Sequence, residues 1–116
     1  MVTRLFQQAD RRSTSIVAYA ECRAAVAATV RTGRLSRSDA GKARRVLDAI
    51  WPAFDRLSVS EKVVYDAGDL ADRRSLRGFD AIHLASALLQ APGIAVATWD
   101  ERLSDAAEAE GLTLAR

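Results

Sequence analysis

Apolar positions along most of this chain recur at helical spacing, and short apolar runs separate the helical stretches. Ile16, Tyr19, Ala20, Val26, Ala27 and Val30, with Arg23 in the same register, follow a 3.6-residue period that stops at Gly33, and so predict a first long helix from about Ser15. Ser36-Arg37-Ser38-Asp39 reads as a capped helix start with Leu35 as a hydrophobic staple. That second helix runs to about Trp51 or Phe54, where Pro52 bends or ends it. Ser58-Val59-Ser60-Glu61 forms a capping box for a third helix carrying Val63, Val64, Ala67 and Leu70. Arg73 to Gly78 reads as a loop, followed by a fourth helix with Ile82, Ala85, Ser86 and Leu89 in helical register, ending near Pro92-Gly93. A fifth runs from about Glu101 to Glu110 and stops at Gly111.

Short strands fit between these helices. Arg11 to Ser15, Arg56 to Val59 and Leu112 to Leu114 are candidates, and Ile94-Ala95-Val96-Ala97 is apolar throughout, as in a strand covered on both faces. Nearer the start, Val2, Leu5, Phe6 and Ala9 form one face of a short helix. Alternating strands and helices, with no repeat and no linker, predict an α/β sandwich with a mainly parallel sheet, in a single domain spanning 1–116.

A chain of 116 residues, 49% hydrophobic and 28% charged, has the size and balance of one soluble domain with a modest core. No apolar run approaches the roughly 18 residues of a membrane span and no signal-peptide pattern opens the chain, so a cytoplasmic location is expected. Cys22 is the only cysteine, which excludes an internal disulfide and predicts a small core hydrophobe. Net charge is only +2, yet the 17 Lys and Arg residues are unevenly spread. Arg31, Arg34, Arg37, Lys42, Arg44 and Arg45 crowd one region, and Arg73, Arg74 and Arg77 precede Asp80. Solvated helix faces account for such runs; phosphate contacts are the sharper reading where arginines border an acidic pocket.

Leu76-Arg77-Gly78-Phe79-Asp80-Ala81-Ile82-His83-Leu84-Ala85 sets a carboxylate at the mouth of an apolar helix. That helix leads into the Ile94–Ala97 strand, which Asp100 follows, and ligands of parallel sheets collect outside the carboxyl ends of the strands. Glu21, in the first helix beside the small residues Ala24, Ala25 and Ala28, can join the two aspartates. Carboxylates gathered within a few ångström repel unless a cation lies between them, and a set without Cys or His suits Mg²⁺ or Mn²⁺, which also bind phosphate oxygens. Each residue has a structural reading as well. Asp80 and Asp100 are possible helix caps, Thr98 with Glu101 fits a capping box, and Glu21 is an ordinary solvated side chain. His83, three residues after Asp80, reads as a packed histidine, and Trp99 as a pocket wall or else a base-stacking platform.

Leu76 to Ala85, then Ala97-Thr98-Trp99-Asp100-Glu101-Arg102-Leu103, then Ala106 to Leu112 resemble the C-terminal half of a PIN domain of the VapC toxin type. Ser15-Ile16-Val17-Ala18-Tyr19-Ala20-Glu21 is similar to that family's segment bearing its second acid, and the likeness spans roughly Ser13 to Leu114. The resemblance implies a PIN-like three-layer sandwich and a Mg²⁺-dependent endoribonuclease that hydrolyses RNA phosphodiester bonds. It also implies the toxin of a type II toxin–antitoxin pair, with a cognate antitoxin and a homodimer. Glu21, Asp80 and Asp100 would be its catalytic, metal-binding acids and Thr98 an auxiliary polar group, with Arg73, Arg74 and Arg77 on RNA phosphates. The family begins with an apolar strand ending in Asp, which no segment here matches, and Asp10 lies too near Glu21 for that role. The first central strand is therefore expected to be missing and the domain N-terminally incomplete. The alternative is a truncated or inactive module that binds an antitoxin-like partner without cleaving RNA.

Overall fold

Over residues 11–115, the part of the computed structural model described below, short strands and helices alternate as the hydrophobic pattern requires. The order is β1 (Ser13–Ser15), α1 (Ala18–Arg31), α2 (Arg37–Ile50), a 3-10 turn (Trp51–Ala53), β2 (Asp55–Leu57), α3 (Glu61–Arg74), α4 (Gly78–Gln90), β3 (Ala95–Val96), α5 (Glu101–Ala109) and β4 (Thr113–Leu114). The helix expected on Val2, Leu5, Phe6 and Ala9 lies outside the described residues.

Local chemistry sets most of the boundaries. The Ser36 hydroxyl accepts from the Asp39 N–H at 3.0 Å and starts α2 where the sequence placed it. Gly33 and Gly111, at φ +74° and +89°, turn the chain left-handed after α1 and α5, a conformation other L-residues adopt at a cost. The start of α3 is corrected: its cap is Ser60, which accepts from Val63 N–H at 3.2 Å, and not Ser58. Val59 packs against the core on its way out of β2, so the chain stays extended for two more residues before it coils. Pro52, which has no N–H to give, falls in the 3-10 turn that ends α2.

All strand pairing among the described residues is parallel, as the α/β reading expects, but it forms two separate two-stranded pieces rather than one sheet. β1 pairs with β2 in the register Ser13–Asp55, Thr14–Arg56 and Ser15–Leu57, joined through α1 and α2. β3 pairs with β4 in the register Ala95–Thr113 and Val96–Leu114, joined through α5.

The core lies between α3, α4 and α5. Val63, Ala67 and Leu70 form a buried stripe on α3, at the i, i+4, i+7 spacing of one helix face. Ala81, Leu84 and Ala85 of α4 meet that stripe, and Leu103, Ala106 and Ala107 of α5 close the cluster together with Leu76. The alanines let the helix backbones approach, so a few leucines fill the interior. By contrast, α1 and α2 bury no residue. They pack on each other, and Cys22, Val26, Val30, Val46, Leu47 and Ile50 line a groove of about 420 Å³ between them. Cys22 is exposed there rather than in the core, on the groove that α1 forms with α2.

Candidate active site

Asp80 is the third residue of α4, half-buried, where the unpaired N–H groups and positive end of the helix favour a carboxylate. It is not a side-chain cap: the capping position is Arg77 and no side chain caps the helix. Among the described residues, no hydrogen bond or ion pair engages the Asp80 carboxylate. One turn further along, His83 Nε2 donates to Glu21 Oε1 at 2.5 Å, a contact between residues 62 apart in the chain. Glu21 lies in the first turn of α1 and its side chain is 33% exposed, against 24% for His83. Residues at i and i+3 of a helix share a face, so this bond brings the Glu21 carboxylate to the turn that carries Asp80. Neither side chain takes its bland reading, since Glu21 is not freely solvated and His83 is not merely packed.

Asp100 sits elsewhere, as the N-cap of α5, with Oδ1 accepting from Leu103 N–H at 3.0 Å. Thr98 Oγ1 in turn accepts from the Asp100 N–H at 3.1 Å, so the threonine stands beside the aspartate and shapes the approach to α5. Trp99 is 81% exposed on the stretch that leads from β3 to α5. No group of three His, Cys, Asp or Glu side chains among the described residues could hold one metal ion. The donors of Asp80 and Glu21 are hard oxygens, the type that Mg²⁺ or Mn²⁺ takes, and Asp80 has no partner among the described residues. Asp100 does not complete the set, so the fit is one of donor chemistry and not of number.

The arginines before Asp80 divide. Arg73 donates from Nε to Glu110 Oε2 and from Nη2 to Glu110 Oε1, both at 3.0 Å, while Arg74 Nε donates to Glu110 Oε2 at 2.7 Å. The two guanidinium groups hold the Glu110 carboxyl down to about 2, through their hydrogen bonds first and their charge second. Glu110 in turn raises the Arg73 guanidinium. Arg77, at the mouth of α4, is exposed and forms no ion pair among the described residues. The sequence reading missed Glu110, because a partner 36 or 37 positions away gives no short-range signal.

The family model described as PIN domain matches residues 2–109. Two relatives from Mycobacterium tuberculosis, Ribonuclease VapC45 of strain CDC 1551 / Oshkosh and Ribonuclease VapC49 of strain ATCC 25618 / H37Rv, are each 40% identical to the chain over 116 residues, which cover 99% of it and 81% of the relative. The matches span nearly all of the elements described above, and the chain belongs to the PIN-domain family, in its VapC type.

Proposed function

We propose that the chain is an endoribonuclease that hydrolyses RNA phosphodiester bonds with Mg²⁺ or Mn²⁺, as the toxin of a type II toxin–antitoxin pair acting in the cytoplasm. The observation that supports this reading is the hydrogen bond between Glu21 on α1 and His83 on α4, the helix whose first turn carries the half-buried Asp80, in a chain with ribonuclease relatives. Asp80 and Glu21 would hold the cation, and Asp100, the third acid of the resemblance, would join them only by leaving its place as the α5 cap. Such an ion, when bound, lowers the pKa of a water and neutralises charge on a phosphodiester. The protein's own residues do the rest. Asp80 and Glu21 bring negative charge to the mouth of α4, and the N–H groups of its first turn face outward there. Arg77 supplies an exposed cation on the same turn for an RNA phosphate. Arg73 and Arg74, committed to Glu110, would serve RNA only by giving up that partner.

The α1–α2 groove supports the partner half of the proposal. It is apolar, with Arg23 and Arg44 among its lining residues, and an amphipathic antitoxin segment with acidic flanks would suit it. A homodimer is carried over with the family resemblance. No helix of the described residues is long and apolar enough to cross a membrane.

A second reading, a partner-binding module without cleavage, draws on the lack of a three-acid group among the described residues. Incubating the purified chain with end-labelled single-stranded RNA, with and without Mg²⁺ and then with a chelator, separates the two. Cleavage that appears with the ion and stops with the chelator supports the nuclease. Intact RNA under all conditions leaves only the binding module.

A further inference from the structure

We propose that Trp99 is a stacking platform for an unpaired RNA base, and that Arg102, three residues further on, holds a phosphate beside it. The role rests on the ribonuclease reading above and narrows its substrate to single-stranded RNA. The fold treats the two tryptophans of the chain differently. Trp51 is half-buried and its ring centre lies 5.4 Å from that of Tyr19, whereas the Trp99 indole is 81% exposed and meets no other ring among the described residues. In the chain it is flanked by Thr98, Asp100 and Glu101, polar groups rather than the apolar surround of a protein-docking core.

The backbone around the indole is pinned. Thr98 Oγ1 accepts from the Asp100 N–H at 3.1 Å and Asp100 Oδ1 accepts from the Leu103 N–H at 3.0 Å, which ties the end of β3 to the start of α5 across Trp99. Ligands of parallel strands collect at that end. A ring on a fixed backbone has two torsions left to lose when a base lies on it, so stacking costs little ordering. Arg102 is exposed in the first turn of α5, where the helix field disfavours a cation, and it forms no ion pair or hydrogen bond among the described residues. It borders a cavity of about 500 Å³ that it shares with Arg73, Arg74 and Asp105, so three arginines face one aspartate around a space of ligand size. An aromatic face beside uncompensated positive charge suits a single strand, because every base has a face to stack while its phosphate meets the cation. A base within a duplex keeps its faces against its neighbours and cannot lie on the indole.

The test is binding of a fluorescein-labelled oligoadenylate of about ten nucleotides, read by anisotropy with the full chain in EDTA so that the strand stays intact. The same strand annealed to oligouridylate is the duplex comparison. Tryptophan emission in the Trp51→Phe background, where Trp99 is the remaining indole, is the second readout. The single strand should quench that emission, Trp99→Ala should bind it about tenfold more weakly, and Trp99→Phe, which keeps a ring, should recover to within about threefold. Arg102→Gln should lower the salt slope of binding by about 0.7. The duplex should neither quench nor respond to Trp99→Ala. Circular dichroism checks each fold, and if Trp51→Phe does not fold, the anisotropy series decides. Parent-like binding by Trp99→Ala, an equal response to the duplex, or no binding of the single strand by the parent overturns the platform. An unchanged salt slope in Arg102→Gln overturns the phosphate role. Quenching of Trp99 by a co-expressed antitoxin and not by RNA makes the indole a protein contact and overturns the platform as well. The nuclease reading fails separately: RNA that the parent binds through Trp99 yet leaves intact with Mg²⁺ refutes cleavage and keeps the platform, while cleavage by the parent with parent-like binding in Trp99→Ala does the reverse.

Discussion

Replacing Glu110 by Gln removes the charge that joins two helix ends while keeping the shape of the side chain. Glu110 caps the C-terminus of α5, an unfavourable place for an anion, and its side chain is only 13% exposed. Arg73 and Arg74, in the last turn of α3, compensate for that position and tie α3 to α5 across the edge of the core. A carboxyl held at about 2 instead of its ordinary 4.5 sets a ceiling of about 3 kcal/mol on the stability the cluster supplies at neutral pH. Arg73 is half exposed, so solvent screening reduces the expected loss in Glu110→Gln to about 1–2 kcal/mol. The sign follows from a depressed folded-state pKa: the contribution is complete above pH 4.5 and disappears as pH falls toward 2. Urea unfolding followed by circular dichroism at pH 7, 4.5, 3.5 and 2.5 reads the gap between parent and variant, and equal m-values make the comparison valid. A gap that is absent at pH 7, or as large at pH 2.5 as at pH 7, refutes the cluster's assigned role.

Three other expectations concern single positions. Ser86 is buried and its hydroxyl has no partner among the described residues, so Ser86→Ala should leave stability unchanged or raise it by up to about 1 kcal/mol, read as a urea midpoint that does not fall. Asp100→Ala should lose about 1 kcal/mol with the α5 cap, while Asp100→Asn keeps an acceptor and its stability yet loses RNA cleavage; cleavage retained in Asp100→Asn would leave the residue as a cap only. Val46 is 61% exposed in the α1–α2 groove, so Val46→Glu should cost under about 0.5 kcal/mol in thermal melts while abolishing co-purification with a co-expressed antitoxin.

How far each feature was legible in the sequence depended on the distance over which its cause acts. Helix positions were legible because spacing and caps are local: the Ser36 cap, the stops at Gly33 and Gly111, and the buried stripe of Val63, Ala67 and Leu70 all follow from neighbouring residues. The cap at Ser60 was displaced by packing of Val59, a tertiary effect on a local motif. The exposure of Cys22 and Trp99 was illegible, since which helix faces stay uncovered depends on partners that composition does not reveal. At the site, the sequence singled out Glu21, Asp80, Thr98 and Asp100 as chemistry-bearing positions but gave no distance among them. The bond from His83 to Glu21 and the pairing of Arg73 and Arg74 with Glu110 join residues far apart in the chain, which spacing cannot show.

The central claim is that the half-buried carboxylate at the mouth of α4 makes this chain a nuclease. It is tested most directly by Asp80→Asn, which alters one charge and almost no volume. Rates of RNA cleavage at saturating Mg²⁺ should fall at least about a hundredfold, as expected for loss of a principal acid, with circular dichroism and thermal midpoint close to the parent's. Cleavage at the parental rate by a folded Asp80→Asn chain would contradict the account.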